Sequence, residues 1–306
     1  MAKQLQIKKA ERRAKKLKCL ITGASGFGKT MSSLLLAKGL TDNGKILVFD
    51  TENGRSGLKC GSTVLGGLEW DVIEVDPTDL TSQDYISAIK LAEDKGYDVI
   101  IIDSASQEWV SVKDSHQRLG GKFTDWGKAK KPHHDFVRKV ISCQIHVILT
   151  ARSDIKHEQQ EVNGKKQVVK LGLGTQQNSD FPFEMDFVFD IMDRDHNAEA
   201  DKSEGGLFDD TPTFVITEKT GRQLADFLSQ GITQEEIDKR LFTNRVTQIT
   251  TELLNLGKLT QEEVEDILSS LEPMTSIEIT KVGKGLAEQL PKKDKKKPVE
   301  ESEEES

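Results

Sequence analysis

The sequence predicts an α/β fold: a mostly parallel, twisted sheet flanked by helices, followed by a small C-terminal helical appendage. Three observations carry this. Short apolar runs alternate with amphipathic stretches from Cys19 to about Thr217. The runs are almost continuously apolar, as strands buried on both faces of a parallel sheet must be. Beyond about Gly231 only helical patterning remains.

The expected strands are Cys19–Thr22, Ile46–Phe49, Val72–Val75, Val99–Ile102, Ile145–Thr150, Phe187–Met192 and Phe214–Ile216. Ser32–Leu40 and Tyr85–Lys95 have helical spacing, and strands alternating with helices give right-handed crossovers. Lys156–Asp180 breaks the rhythm; its Asn163–Gly164 pair reads as a hairpin turn with Val168–Leu171 returning. Asp195–Thr211 reads as an acidic, glycine-containing loop. Two Thr-Gln-Glu-Glu stretches, from Thr233 and Thr260, read as capping boxes in which Glu236 and Glu263 reach back to the helix start. The expected organisation is a basic N-terminal segment 1–17, an α/β domain 18–230, a helical appendage 231–290 and a disordered charged tail 291–306.

With 306 residues the chain is long enough for one large α/β domain and a smaller appendage. No run of eighteen apolar residues is present, so no membrane-spanning helix is expected. Met1–Lys18 is basic and lacks the apolar stretch of a signal peptide, and a cytoplasmic location follows. Cys19, Cys60 and Cys143 read as buried free thiols rather than a disulfide or zinc framework. The net charge of -8 argues weakly against a nucleic-acid coat. The ends, however, are polarised: lysines and arginines crowd the first eighteen residues, and Lys292–Lys297 precede a glutamate tail. Such ends either touch nucleic acid or simply stay solvated.

The central motif is Gly23-Ala24-Ser25-Gly26-Phe27-Gly28-Lys29-Thr30, between a strand and a helix. Its glycines allow the backbone to curl and aim several N–H groups at one phosphate, and the following helix adds its positive end. Lys29 reaches the β- and γ-phosphates, Thr30 ligates Mg²⁺, and Met31 continues the loop into the helix. Tyr97-Asp-Val-Ile-Ile-Ile-Asp103-Ser104 is a buried strand ending in a carboxylate placed to face the Mg²⁺ beside Thr30. Ser104 reads as a cap of the next helix. The cofactors expected are therefore ATP and Mg²⁺. A third carboxylate, Glu52 in Asp50-Thr51-Glu52-Asn-Gly-Arg55, follows the next strand and can orient or deprotonate a water in line with the γ-phosphate.

This order resembles the RecA-like P-loop ATPases, in which the second strand ends in Asp-x-Glu and the Glu is the catalytic base. Asp50–Arg55, Trp126-Gly127 and His146–Arg152 further resemble compact phage-encoded members that assist single-strand annealing and recombination; the resemblance spans about Lys18 to Leu224. It implies a γ-phosphate sensor at Thr150 or Arg152, and a basic residue, Lys219 or Arg222, donated to a neighbouring subunit's site. It also implies single-stranded DNA as partner, a homo-oligomeric ring or filament, cooperation with a single-strand binding protein, and the host cytoplasm as location. DNA contact is expected from Gly120–Trp126 with Lys128, Lys130 and Lys131, and from Lys165, Lys166 and Lys170. Phe123 or Trp126 would stack on bases, or Trp126 would pack under the next helix. His133 and His134 read as polar residues at a helix start. A nucleotide-dependent loader with slow hydrolysis, and less readily a small-molecule kinase, stay open as alternatives.

Overall fold

The computed structural model describes residues 9–41, 44–162 and 165–291, with side chains described outside 154–173. Lys8, the turn expected at Asn163–Gly164, the side chains of Lys165, Lys166 and Lys170, and the charged tail from Lys292 lie outside the described residues. The chain divides into two compact units, one spanning 15–229 and one formed by 9–14 with 230–291.

The larger unit starts with β1 (Lys18–Gly23), α1 (Lys29–Leu40), β2 (Ile46–Asp50), β3 (Asp71–Glu74), α2 (Ser82–Asp94) and β4 (Val99–Asp103). It continues with α3 (Ser106–Arg118), α4 (Trp126–Ala129), α5 (Lys131–Ser142), β5 (His146–Val162) and β6 (Lys165–Thr175). It closes with β7 (Phe187–Ile191), β8 (Asn197–Ser203), β9 (Phe214–Val215) and α6 (Glu218–Leu228). The strand order is β3-β2-β4-β5-β1-β7-β8-β9, with β6 pairing β5. Pairs from β3 through β7 are parallel, whereas β8, β9 and β6 run antiparallel to their neighbours.

Period-two geometry divides each central strand between two cores. Leu20, Leu47, Phe49, Ile100, Ile102, Val147 and Leu149 face the core shared with Tyr85, Ile89, Phe136 and Val140 of α2 and α5. Cys19, Ile21, Ile46, Val48, Val99, Ile101 and Ile148 face the core shared with Leu34, Leu36 and Leu224 of α1 and α6. Helices α1 and α6 cross at bare backbone: a Cβ on Gly221 would lie 2.3 Å from the Leu36 carbonyl oxygen, and one on Gly39 would lie 2.0 Å from that of Glu218.

Three expectations change. Val72, Ile73 and Glu74 of the expected strand lie on β3, which is an edge strand and is largely exposed rather than buried on both faces, and Val75 falls just past its end. The expected loop Asp195–Thr211 contains β8, because the free edge of β7 offers a ladder to which even a polar Asn-Ala-Glu-Ala-Asp-Lys-Ser run can pair. Cys60 is exposed; Cys19 and Cys143 are buried.

In the smaller unit, Arg13 bridges Ile232, and α7 (Gln234–Asn255), α8 (Gln261–Ser270) and α9 (Ser276–Ala287) pack around Val246, Leu253, Leu271 and Ile279. Thr233 and Thr260 form capping boxes with Glu236 and Glu263; Thr275 with Glu278 adds a third. No helix of the described residues is long and apolar enough to cross a membrane.

Candidate functional site

The parallel strands β1, β2, β4 and β5 end on one edge of the sheet, and their C-terminal turns build a cleft of about 330 Å³. Ser25, Gly26, Gly28, Lys29, Thr30 and Met31 line one side; Glu52, Asp103 and Arg152 line the other. Gly28 has φ 95°, a left-handed conformation that favours glycine, and directly precedes the first turn of α1. Gly23, Ala24 and Phe27 act through their carbonyls. Lys29 Nζ donates to the Gly23 and Ala24 oxygens at 2.9 and 3.0 Å, and the Phe27 oxygen accepts from His196 Nδ1 at 2.8 Å. Burial lowers the Lys29 ammonium below its ordinary pKa, partly opposed by Asp103 and Glu52. An anion in the cleft would compensate that burial.

Asp103 is 2 % exposed. Its two carboxylate oxygens accept from Thr30 Oγ1 at 2.6 Å and Thr150 Oγ1 at 2.5 Å. Burial pushes its carboxyl above the ordinary value, and the two hydroxyl hydrogen bonds pull it back. The Thr30 and Asp103 oxygens form an adjacent pair of hard donors beside the phosphate loop. That set fits Mg²⁺, which takes one or two protein oxygens and completes its octahedron with water and phosphate.

The turn after β2 is tied to the turn after β4. Thr51 N donates to the Asp103 oxygen at 2.8 Å, and the Thr51 hydroxyl bonds both the N–H and the oxygen of Ser104. Asp50, fully buried, accepts from Glu52 N and Ser56 N, each at 2.8 Å, and so fixes the loop that carries Glu52. Glu52 Oε1 accepts from Arg152 Nε at 3.0 Å and Nη2 at 2.7 Å, and its Oε2 pairs with Arg55 at 3.1 Å. Ser104 lies at 3.4 Å from Glu52 and does not cap α3, whose N-cap is Ala105.

The family model described as an AAA domain matches residues 15–224, which is 210 of the 306 residues. The chain belongs to the AAA domain family. This bears out the resemblance to P-loop ATPases. Among solved structures, the RadB recombinase matches at 17% identity and a TM-score of 0.38, over 67% of this chain and 90% of that one. A comparison with curated proteins finds no match.

Within this AAA domain, Thr150 is buried and spends its hydroxyl on Asp103, so only Arg152 of the two sensor candidates reaches the cleft. Lys219 and Arg222 are exposed on α6 and do not line their own chain's cleft. Arg222 pairs with Glu218, which also holds Lys38 on α1, roughly 14 Å along that helix from Lys29. Trp126 packs inward: its ring stacks on His116 at 3.9 Å and on Trp109 at 6.1 Å, with the Lys130 ammonium over both indoles. Phe123 is 90% exposed. His133 does start a helix, but it is buried against Glu108 at 3.0 Å, and Glu108 also accepts from Ser82 and Gln177.

Sequence reasoning missed Arg55, Leu58 and Lys59 in the cleft wall, and the anchoring role of Asp50. The signal for Asp50 was present: an aspartate two residues before Glu52, at a strand end, is the usual acceptor of an Asx-turn. His196 carried no signal, being remote in sequence and held by the β7–β8 turn.

Proposed function

We propose that this protein is a Mg²⁺-dependent ATPase that acts in DNA recombination or single-strand annealing, of the phage-encoded kind its sequence resembles. The observation that carries the reading is the convergence of Lys29, Thr30, Asp103, Glu52 and Arg152 on one cleft. The loop amides and Lys29 would hold the triphosphate, and Thr30 with Asp103 would hold Mg²⁺, which when bound neutralises charge on the phosphate oxygens. Glu52 would take a proton from the attacking water. Arg152, next to it, would shift from Glu52 to the γ-phosphoryl oxygens as their charge develops.

Single-stranded DNA as partner is supported by the exposed Phe123 ring among Lys122 and Lys128, a combination suited to stacking and phosphate contact. A ring or filament would bring Lys219 or Arg222 of one copy to the nucleotide of the next. A slow-hydrolysing loader is the second reading, favoured by the two arginines that occupy Glu52.

The test is ATP turnover with and without single-stranded DNA, alongside calorimetric nucleotide binding. Turnover that DNA stimulates, abolished in Glu52→Gln while binding persists, supports the proposal; Lys29→Ala should weaken binding itself. Turnover indifferent to DNA, with no DNA retained at low salt, refutes the recombination reading. Tight binding with negligible turnover in the wild type would favour the loader.

A further inference from the structure

The turn between β7 and β8 ends beside the phosphate loop, because β7 runs parallel to β1 and in register with it: Gly23 pairs with Ile191. Asp193 organises this turn. Its Oδ1 accepts from Asp195 N at 2.9 Å and Asn197 N at 3.1 Å, and its Oδ2 accepts from the Asn197 amide at 2.8 Å. The turn holds His196 in the left-handed region at φ 65°, a conformation uncommon for a residue with a Cβ. The imidazole then lies against the loop, with Nδ1 at 2.8 Å from the Phe27 carbonyl oxygen. A carbonyl only accepts, so Nδ1 carries the proton. The fit is close: a Cβ on Gly28 would lie 2.7 Å from that same nitrogen.

We infer that His196 is a positioning residue of the nucleotide site, a lock on the Phe27–Gly28 peptide. In a trans peptide the C=O and N–H point in opposite directions. Fixing the Phe27 carbonyl outward on His196 therefore directs the Gly28 N–H toward the cleft that Gly28 lines. A glycine follows the carbonyl, so steric resistance to rotation of this peptide is small. Once rotated, it would present a carbonyl oxygen, rather than an N–H, to the phosphate. The other loop carbonyls nearby are already held: Lys29 takes those of Gly23 and Ala24, and Phe27 N donates to Ala24 at 3.3 Å. His196 supplies the corresponding restraint for Phe27, from a strand turn on the far side of the loop.

This inference rests on the proposed nucleotide site, and the test separates the two. The full chain is titrated by calorimetry with Mg²⁺-ADP and with a non-hydrolysable Mg²⁺-ATP analogue, for wild type and His196→Ala, His196→Gly and His196→Asn. Asparagine tolerates the left-handed backbone and places an amide N–H where Nδ1 stood; glycine tolerates the backbone and donates nothing. Loss of one hydrogen bond predicts about three- to tenfold weaker binding for Ala and Gly. The loss applies equally to both nucleotides, since loop amides cradle the α- and β-phosphates they share. Asn should bind within about twofold of wild type on the same reasoning. KM for ATP should rise in parallel, with kcat little changed. Ala and Gly binding like wild type, or Asn binding as poorly as Gly, overturns the lock. Should Ala fail to fold, the Gly and Asn pair decides, with thermal melts in the absence of nucleotide as control. A wild type that binds neither nucleotide overturns the nucleotide site itself, whereas wild-type binding with unaffected variants removes only the role of His196.

Discussion

Replacing Asp50 by Asn tests whether the position of Glu52 is built into the strand end. The Asp50 carboxylate is fully buried and accepts two backbone N–H groups, from Glu52 and Ser56, each at 2.8 Å. The carboxamide has the same shape but one oxygen, so it can accept only one of them. The other N–H then faces an NH₂ group. Losing one hydrogen bond to a charged acceptor and stranding one buried donor costs about 3 kcal/mol in all. A domain of ordinary stability, roughly 5–15 kcal/mol, survives this loss. Urea unfolding should therefore show a folded protein with its free energy reduced by about that amount. With Glu52 in its proposed role, the catalytic consequence is larger, because a displacement of about 1 Å at a reacting group costs on the order of a hundredfold. The kcat of Asp50→Asn should fall by that order. Affinity for a non-hydrolysable Mg²⁺-ATP analogue should stay within about twofold, since no bond of Lys29, Thr30 or Asp103 passes through Asp50. A stability loss under about 1 kcal/mol, or an affinity that falls in step with kcat, would refute this account of the turn.

Other outcomes follow from the same geometry. Gly221→Ala should lower stability by about 3 kcal/mol or more, read by urea unfolding, because the new Cβ would lie 2.3 Å from backbone and the α1–α6 pair must separate. His146 accepts from Leu17 N, and burial, helped by Lys16 and Lys18, pushes its pKa down from 6.5 to about 3. The unfolded chain takes up a proton near pH 6.5 while the folded one does not. Stability should thus be full above pH 6.5 and fall as the pH drops, by about 1.4 kcal/mol at pH 5.5. His146→Asn, which keeps an acceptor but cannot charge, should flatten that limb of the pH–stability curve. Phe123→Ala should leave the thermal midpoint unchanged, the ring being 90% exposed, and should reduce any stimulation of turnover by single-stranded DNA.

The central strands and the phosphate loop were legible because each carried a redundant local signal. Val99–Asp103 is apolar at every position before its carboxylate, and Gly23–Thr30 fixes backbone conformation and charge within eight residues. β8 was illegible because its pairing depends on the edge that β7 offers, not on its own propensity. The edge exposure of β3 was hidden for the reverse reason: its apolar run is typical of a buried strand, and only the strand order places it outside. In the site, Lys29, Thr30, Asp103, Glu52 and Arg152 were found one motif at a time. The contacts that hold them together, Thr150 on Asp103 and Arg152 on Glu52, join segments far apart in the chain, as does His196 on the Phe27 carbonyl, and sequence spacing does not encode which of them meet. The third capping box, Thr275 with Glu278, went unread because Ser-Ile replaces the Gln-Glu that marks the other two.

The bare crossing of Gly39 over Gly221 also links the phosphate loop to a distant part of the surface. At that point backbone meets backbone with no side chain to yield, so a small movement of either helix is felt by the other. The first helix begins at the phosphate loop, and the second displays Lys219 and Arg222 to the outside. A nucleotide that tightens the loop would thereby also shift the outward pose of those two cations.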